Sequence, residues 1–161
     1  MDTASTWEIV PLDIGNVARV TLIADWLWDM WGRHNGRSLA DEIAKLKLRH
    51  GVAPSISPTF VAQSLDGALV GTIGICPSDY ADRPDLSPWI SALFVPPDRR
   101  GQGIGSALIR HSCQILRQSG YDSAYLWSEE SNAPYYQRIG ARKLTSVPRG
   151  VIMEMRINER E

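Results

Sequence analysis

The stretch Val95-Pro96-Pro97-Asp98-Arg99-Arg100-Gly101-Gln102-Gly103-Ile104-Gly105 holds the densest chemistry in the chain, three glycines at alternate positions directly after two arginines. Glycines let a backbone approach a ligand closely and turn several N–H groups to one side. A helix opening at their end adds the positive pole of its dipole. Arg99 and Arg100 bring two full charges to the same turn. This combination captures an anion. Two common phosphate-binding patterns do not fit it. A P-loop needs Lys followed by Ser or Thr after its glycines, where this chain has Ser106-Ala107. A dinucleotide turn needs Gly-x-Gly-x-x-Gly, but Gly101-x-Gly103 leads to Ser106, and the next strand runs through Tyr125-Leu126-Trp127 with no acidic end.

The elements that must position this turn can be read from periodicity. Trp89 to Val95 is a largely buried strand closed by Pro96-Pro97. A helix follows from about Gly103 to Ser119, with Ile104, Leu108, His111 or Ser112, and Ile115 on its inner stripe and Gly120 at its end. Upstream, Trp7 to Val10 reads as a first strand. Val17, Val20, Ile23, Leu27 and Met30 recur at helical spacing between about Asp13 and Trp31, and Gly32 to Gly36 is a loop. A second helix starts at Ser38, with Asp41 as capping partner and Leu39, Ile43 and Leu46 as its stripe. Phe60 to Leu65 and Leu69 to Cys76 form a hairpin across Asp66-Gly67, and a Pro- and Asp-rich loop spans Pro77 to Pro88.

Downstream, Ser123 to Trp127 is a strand. Asn132 is placed to cap a short helix that tolerates Pro134 in its first turn and stops at Gly140. Two strands close the chain, about Ala141 to Thr145 and Val151 to Ile157. In the last, Val151, Met153, Met155 and Ile157 alternate with Ile152, Glu154 and Arg156, an apolar face that serves either the core or a second copy in a homodimer. The order gives an α/β (α+β) protein built on one mixed sheet flanked by helices.

Composition bounds the rest. At 161 residues and 43% hydrophobic, residues 1–161 make one domain with a sizeable core. Seventeen Lys+Arg against eighteen Asp+Glu argue against nucleic acid as a partner. No apolar run approaches a membrane span, and Met1 to Ser5 lack the basic and apolar regions of a signal peptide. Cys76 and Cys113 sit in apolar segments without metal-ligand spacing, and read as reduced thiols in a cytoplasmic protein without a metal. Trp26, Trp28 and Trp31 cannot share one helix face, so they divide between core and surface rather than form a cage.

Two motifs together resemble the GNAT N-acetyltransferases. Arg100-Gly101-Gln102-Gly103-Ile104-Gly105 follows their Arg/Gln-x-x-Gly-x-Gly/Ala loop, preceded by Phe94-Val95-Pro96 at the usual end of their fourth strand. Asn132 to Ala141 resembles their Asn-x-x-Ala…Tyr-x-x-x-Gly-Phe helix, with Tyr136 as the aligning tyrosine and Ala141 in place of Phe. The resemblance implies the GNAT acyl-CoA N-acyltransferase fold, its sheet mostly antiparallel. It implies acetyl-CoA as cosubstrate and direct attack by a primary amine, from a small molecule, peptide or protein. Phe94 and Val95 would line the pantetheine arm, and the amides from Arg100 through Gly105 would hold the pyrophosphate. Asn132 would be a further cofactor contact and Tyr136 the catalytic acid. One departure is that Trp89 to Val95 has no carboxylate, where many relatives carry a Glu as base. Asp79, Asp82, Glu129, Glu130 and His34 are then the candidates, beside deprotonation by solvent. The alternative reading is a non-catalytic acyl-CoA-binding module of the same fold.

Overall fold

The computed structural model describes residues 6–158. Seven strands form one sheet: β1 (Trp7–Pro11), β2 (Thr59–Ser64), β3 (Leu69–Cys76), β4 (Trp89–Phe94), β5 (Ser123–Ser128), β6 (Arg142–Val147) and β7 (Gly150–Arg156). Their spatial order is β1-β2-β3-β4-β5-β7-β6. Every neighbouring pair is antiparallel except β4 and β5, which run parallel. Helices α1 (Val17–Met30), α2 (Leu39–Lys47), α3 (Ile104–Gln118) and α4 (Ala133–Arg138) complete the fold.

Side-chain alternation sorts the sheet into two faces. Phe60 and Ala62 pack with Ile73, Ile75, Leu108, Leu116 and Met153 in a core under α3. Val61, between them, packs with Val20, Ile23, Leu27 and Leu46 beneath α1 and α2. A smaller cluster of Cys76, Leu86, Trp89 and Ile152 lies under the loop after β3. Val151, Met153 and Met155 belong to the core under α3, and β7 lies between β5 and β6. Its apolar face is therefore core. The edge position falls to β6, where exposed Arg142 and Lys143 blunt it against further pairing.

Local chemistry sets the helix boundaries. Asp13 Oδ1 accepts the Gly15 amide at 2.8 Å, holding residues 13–15 in a turn. Asn16 then caps α1 by accepting from the Arg19 amide at 3.1 Å, so the helix begins at Val17 rather than near Asp13. Residues Gly32–Asn35, expected as loop, form a 3-10 turn. Ser38 and Asp41 make the expected reciprocal capping box of α2, at 3.1 and 2.8 Å. The cap expected at Asn132 is not made. That residue ends a 3-10 turn (Glu130–Asn132) with helical φ and ψ of −93° and −11°, so its side chain is not presented to the α4 amides. On α3, Ser112 takes the buried position and bonds back to the Leu108 carbonyl at 2.9 Å, while His111 sits edge-on to Phe60. The tryptophans divide as expected: Trp26 packs on Phe94, Trp28 Nε1 donates to the Arg37 carbonyl at 2.8 Å, and Trp31 is exposed.

Candidate active site

The sheet comes apart where β4 should run beside β5. Their register pairs only Trp89 with Tyr125, supported by the Tyr125 amide donating to the Pro88 carbonyl at 3.0 Å. Beyond that point β4 carries a bulge. Thr72 pairs with Phe94 and Gly74 with Ser91, so an extra residue sits on β4, and Ala92 takes a left-handed φ of 53°. The bulge re-aims the strand end. Leu93 and Val95 turn into the α3 core, while Ala92 and Phe94 turn towards α1. Past Trp89, the β5-side edge of β4 has no strand partner among the described residues. An extended polar chain can pair with such an edge as an added strand would.

The glycine turn lies at the end of this edge. Pro97–Arg99 wind into a 3-10 turn, and Arg100 folds back so that its Nε donates to the Val95 carbonyl at 2.9 Å with its guanidinium 5.7 Å from the Phe94 ring centre. Gly101 and Gly103 both have left-handed φ, 79° and 80°, and a β-carbon on either would meet no protein atom within 4 Å. Both glycines thus border open space, a candidate cradle rather than a packing site. Gly103 is the N-cap of α3, and no side chain caps the helix. The amides of Ile104, Gly105 and Ser106 have no intrahelical acceptor and stand at the positive pole of a 15-residue helix. An anion fits there.

Helix α4 closes the other side. A β-carbon on Gly105 would lie 2.8 Å from the Tyr135 hydroxyl, which is also 3.3 Å from Ser106 Oγ. Tyr135 therefore pins α4 onto the first turn of α3, and Gly105 is small because the hydroxyl needs its space. Tyr136 packs edge-on to Tyr135, centroids 5.1 Å apart, against the α3 core. Its half-buried phenol makes no hydrogen bond to another described residue. Burial, with Tyr135 adding to it, pushes its pKa up to about 12.

The sequence profile of the Acetyltransferase (GNAT) family matches residues 20–141, a span that holds the parting of β4 and β5, the turn and α4. The chain belongs to the GNAT acetyltransferase family. Over 89 residues it is 38% identical to a streptothricin acetyltransferase of Streptomyces lavendulae, covering 52% of this chain and 44% of that protein. Over 53 residues it is 40% identical to a glucosamine 6-phosphate N-acetyltransferase of Trypanosoma brucei brucei, covering 33% and 36%. The matches span less than half the length of these two relatives. An aminoglycoside 6'-N-acetyltransferase complexed with coenzyme A shares the fold, with a TM-score of 0.72 at 19% identity over 96% of this chain and 99% of that one.

Within this GNAT chain the expected cofactor residues divide by what each can offer. Arg100, Gly101, Gly103 and Gly105 form the turn itself, with Gln102 exposed on it. Ile104 is buried in the core, so only its amide faces the cradle. Phe94 and Val95 end the free edge with side chains on opposite faces. Asn132 is exposed, and its side chain bonds to no described residue.

The candidate bases separate as well. Glu130 is paired with Lys143 at 3.0 Å. Asp82, Glu129 and His34 are exposed. Asp79 differs from these. The residue reaches the surface, yet the protein around its carboxyl pushes the pKa up to about 6, against the pull of Lys45 and Arg49. Three features carried no usable sequence signal: the bulge at Ala92, the Tyr135 clasp and the seating of Arg49.

Proposed function

We propose that this GNAT protein is an acetyl-CoA-dependent N-acetyltransferase acting on a primary amine. The observation that carries the reading is the continuity of three features: the free edge of β4, the open cradle at Gly101 and Gly103, and the uncapped start of α3. Together they suit a ligand with an amide-bearing arm and a pyrophosphate. When bound, acetyl-CoA supplies an acetyl group activated as a thioester.

Each residue then has a physical task. The Phe94 and Val95 backbone pairs with the arm, while the amides of the turn and of Ile104 to Ser106 hold the pyrophosphate. Amide donors around the Ala92 bulge polarise the reacting carbonyl, an oxyanion-type contribution of about 3 kcal/mol. Tyr136 Oη keeps its proton at neutral pH and donates a hydrogen bond to the sulfur as negative charge gathers there. Full proton transfer from a phenol at about 12 to a thiolate of ordinary pKa ~8.5 is uphill, by about 5 kcal/mol. The phenol thus works chiefly by stabilising the departing sulfur. Asp79, at about 6 and ionised at neutral pH, receives the amine proton through water.

The location we propose is cytoplasmic. Both cysteines are free, and burial pushes the Cys113 thiol up to about 11, consistent with thiols kept reduced. No helix among the described residues is long and apolar enough to cross a membrane.

Thiol release from acetyl-CoA in the presence of a panel of primary amines tests the function. Amine-dependent release that falls in Tyr136→Phe supports the enzyme. Acetyl-CoA binding without release for any amine supports the binding-module alternative instead.

A further inference from the structure

Arg49 follows the end of α2 and enters the sheet face opposite α3. Its place is fixed by Gly74 of β3. Ile73 and Ile75 turn into the α3 core, so Gly74 faces the other way. A β-carbon at Gly74 would collide with Arg49 Nη1 and lie 3.0 Å from Ser91 Oγ. A glycine inside a strand weakens it; here the missing side chain leaves room for a guanidinium. Gly74 pairs with Ser91, the residue just before the Ala92 bulge. The arginine head therefore lies beside the point where β4 and β5 part.

This guanidinium is unmatched. Among the described residues, Nη1 is fully enclosed without a hydrogen-bond partner, and no ion pair engages the side chain. Two of the surrounding groups have other commitments, and Asp79 acts on the guanidinium without a hydrogen bond or ion pair to it. Glu42 is paired with Arg37 at 2.5 Å, and Cys76 Sγ lies 3.5 Å from both the Ser78 carbonyl and Ser91 Oγ. Burial lowers the arginine's pKa, with Cys76, Asp79 and Glu42 opposing that only through space. A charge withdrawn from water without a partner is costly, so its retention calls for a specific reason, such as a bound ion or ligand. The residue as a whole is only half-buried, and Nε and Nη2 do not share the full enclosure of Nη1, so that side of the donor fork is the one a ligand would meet.

We propose that Arg49 anchors an oxyanion, a carboxylate or a phosphate, carried by the amine acceptor itself. The acceptor class is then a primary amine with its own negative charge, clamped by the planar guanidinium while its amine points to the gap where β4 and β5 part. This rests on the acetyltransferase reading, whose cofactor site lies across the bulge and does not include Arg49.

The test uses the full chain saturated with CoA and two probe pairs, phosphoethanolamine against ethanolamine and 4-aminobutyrate against 4-aminobutyramide. Binding is read by calorimetry and turnover by thiol release with acetyl-CoA. At least one anionic probe is expected to bind about tenfold or more tighter than its neutral partner. The pair that responds identifies phosphate or carboxylate. Arg49→Gln should erase that preference while CoA affinity and the weak binding of the neutral amine stay as in the wild type. No preference in either wild-type pair, or a preference that survives Arg49→Gln, overturns the proposal. The wild-type comparison stands even if the variant does not fold. Failure of CoA itself to bind would instead overturn the acetyltransferase reading.

Discussion

Gly103→Ala separates the stability of the turn from its use. The substitution forces a β-carbon into a left-handed φ of 80°, at a cost of about 1–2 kcal/mol. No protein atom lies within 4 Å of the new methyl, so no clash adds to that strain. For a chain of this size each kcal/mol moves Tm by roughly 2–4 °C, which gives a fall of about 2–8 °C. Gly120, at the far end of the same helix, is a matched control, with φ of 89° and equally open surroundings. Gly120→Ala should lose a similar amount of stability. Only Gly103→Ala should lose cofactor, because its methyl occupies the cradle and displaces one or more charge-assisted N–H contacts worth about 1.5–3 kcal/mol each. Calorimetric titration should find acetyl-CoA bound about 10- to 150-fold more weakly by Gly103→Ala and unchanged by Gly120→Ala. Equal affinity in the two variants, with both folded, would refute the assignment of the cradle to the pyrophosphate.

Tyr136→Phe should lower kcat by about 100-fold and leave acetyl-CoA affinity unaltered. With its pKa near 12, the phenol should add no ionisation to the wild-type rate profile between pH 6 and 9, and an unchanged kcat in the variant would remove it from the mechanism. Asp79 makes a two-sided prediction. Its folded pKa, about 6, lies above the ordinary 3.8, so the fold holds the proton more tightly and loses stability as pH rises from about 4 through 6. Asp79→Asn should therefore gain Tm over the wild type at pH 8 but not at pH 4, while losing the limb of kcat/KM that rises near pH 6; a retained limb would exclude Asp79 as base. Arg37→Ala strips the partner from Glu42, a carboxylate only 3% exposed, and should cost about 3 kcal/mol in chemical denaturation, at the low end for a buried pair because Arg37 is a third exposed. A loss under 1 kcal/mol would show that Glu42 finds another partner or water.

The parts of the fold governed by local pattern were legible in the sequence. Ser38 and Asp41 announce α2 because a capping box is a contact between near neighbours in the chain. Asp66-Gly67 announces the β2–β3 hairpin because Gly67, at φ 90°, meets the turn's backbone requirement. Asn132 misled because a cap needs extended backbone at that residue, and the preceding 3-10 turn carries helical geometry through it. The bulge at Ala92 was hidden since Ile90, Ala92, Leu93, Phe94 and Val95 are all apolar, so a slip of the alternation leaves no mark. Tyr135 depends on a position 29 residues away on α3 and Arg49 on a distant one in β3, and nothing in their immediate sequence indicates that Ser106 or Gly74 receives them.

The central claim is that this chain takes acetyl-CoA through the β4 edge and the glycine turn. Thermal unfolding with acetyl-CoA, CoA, ATP and NAD, each in turn, tests it most directly. At a hundred times its Kd a ligand stabilises the fold by about 2.7 kcal/mol, a rise of roughly 5–11 °C here. The account predicts that rise with acetyl-CoA and CoA, and none with ATP or NAD. No shift with either CoA species, or an equal shift with the nucleotides, would contradict it.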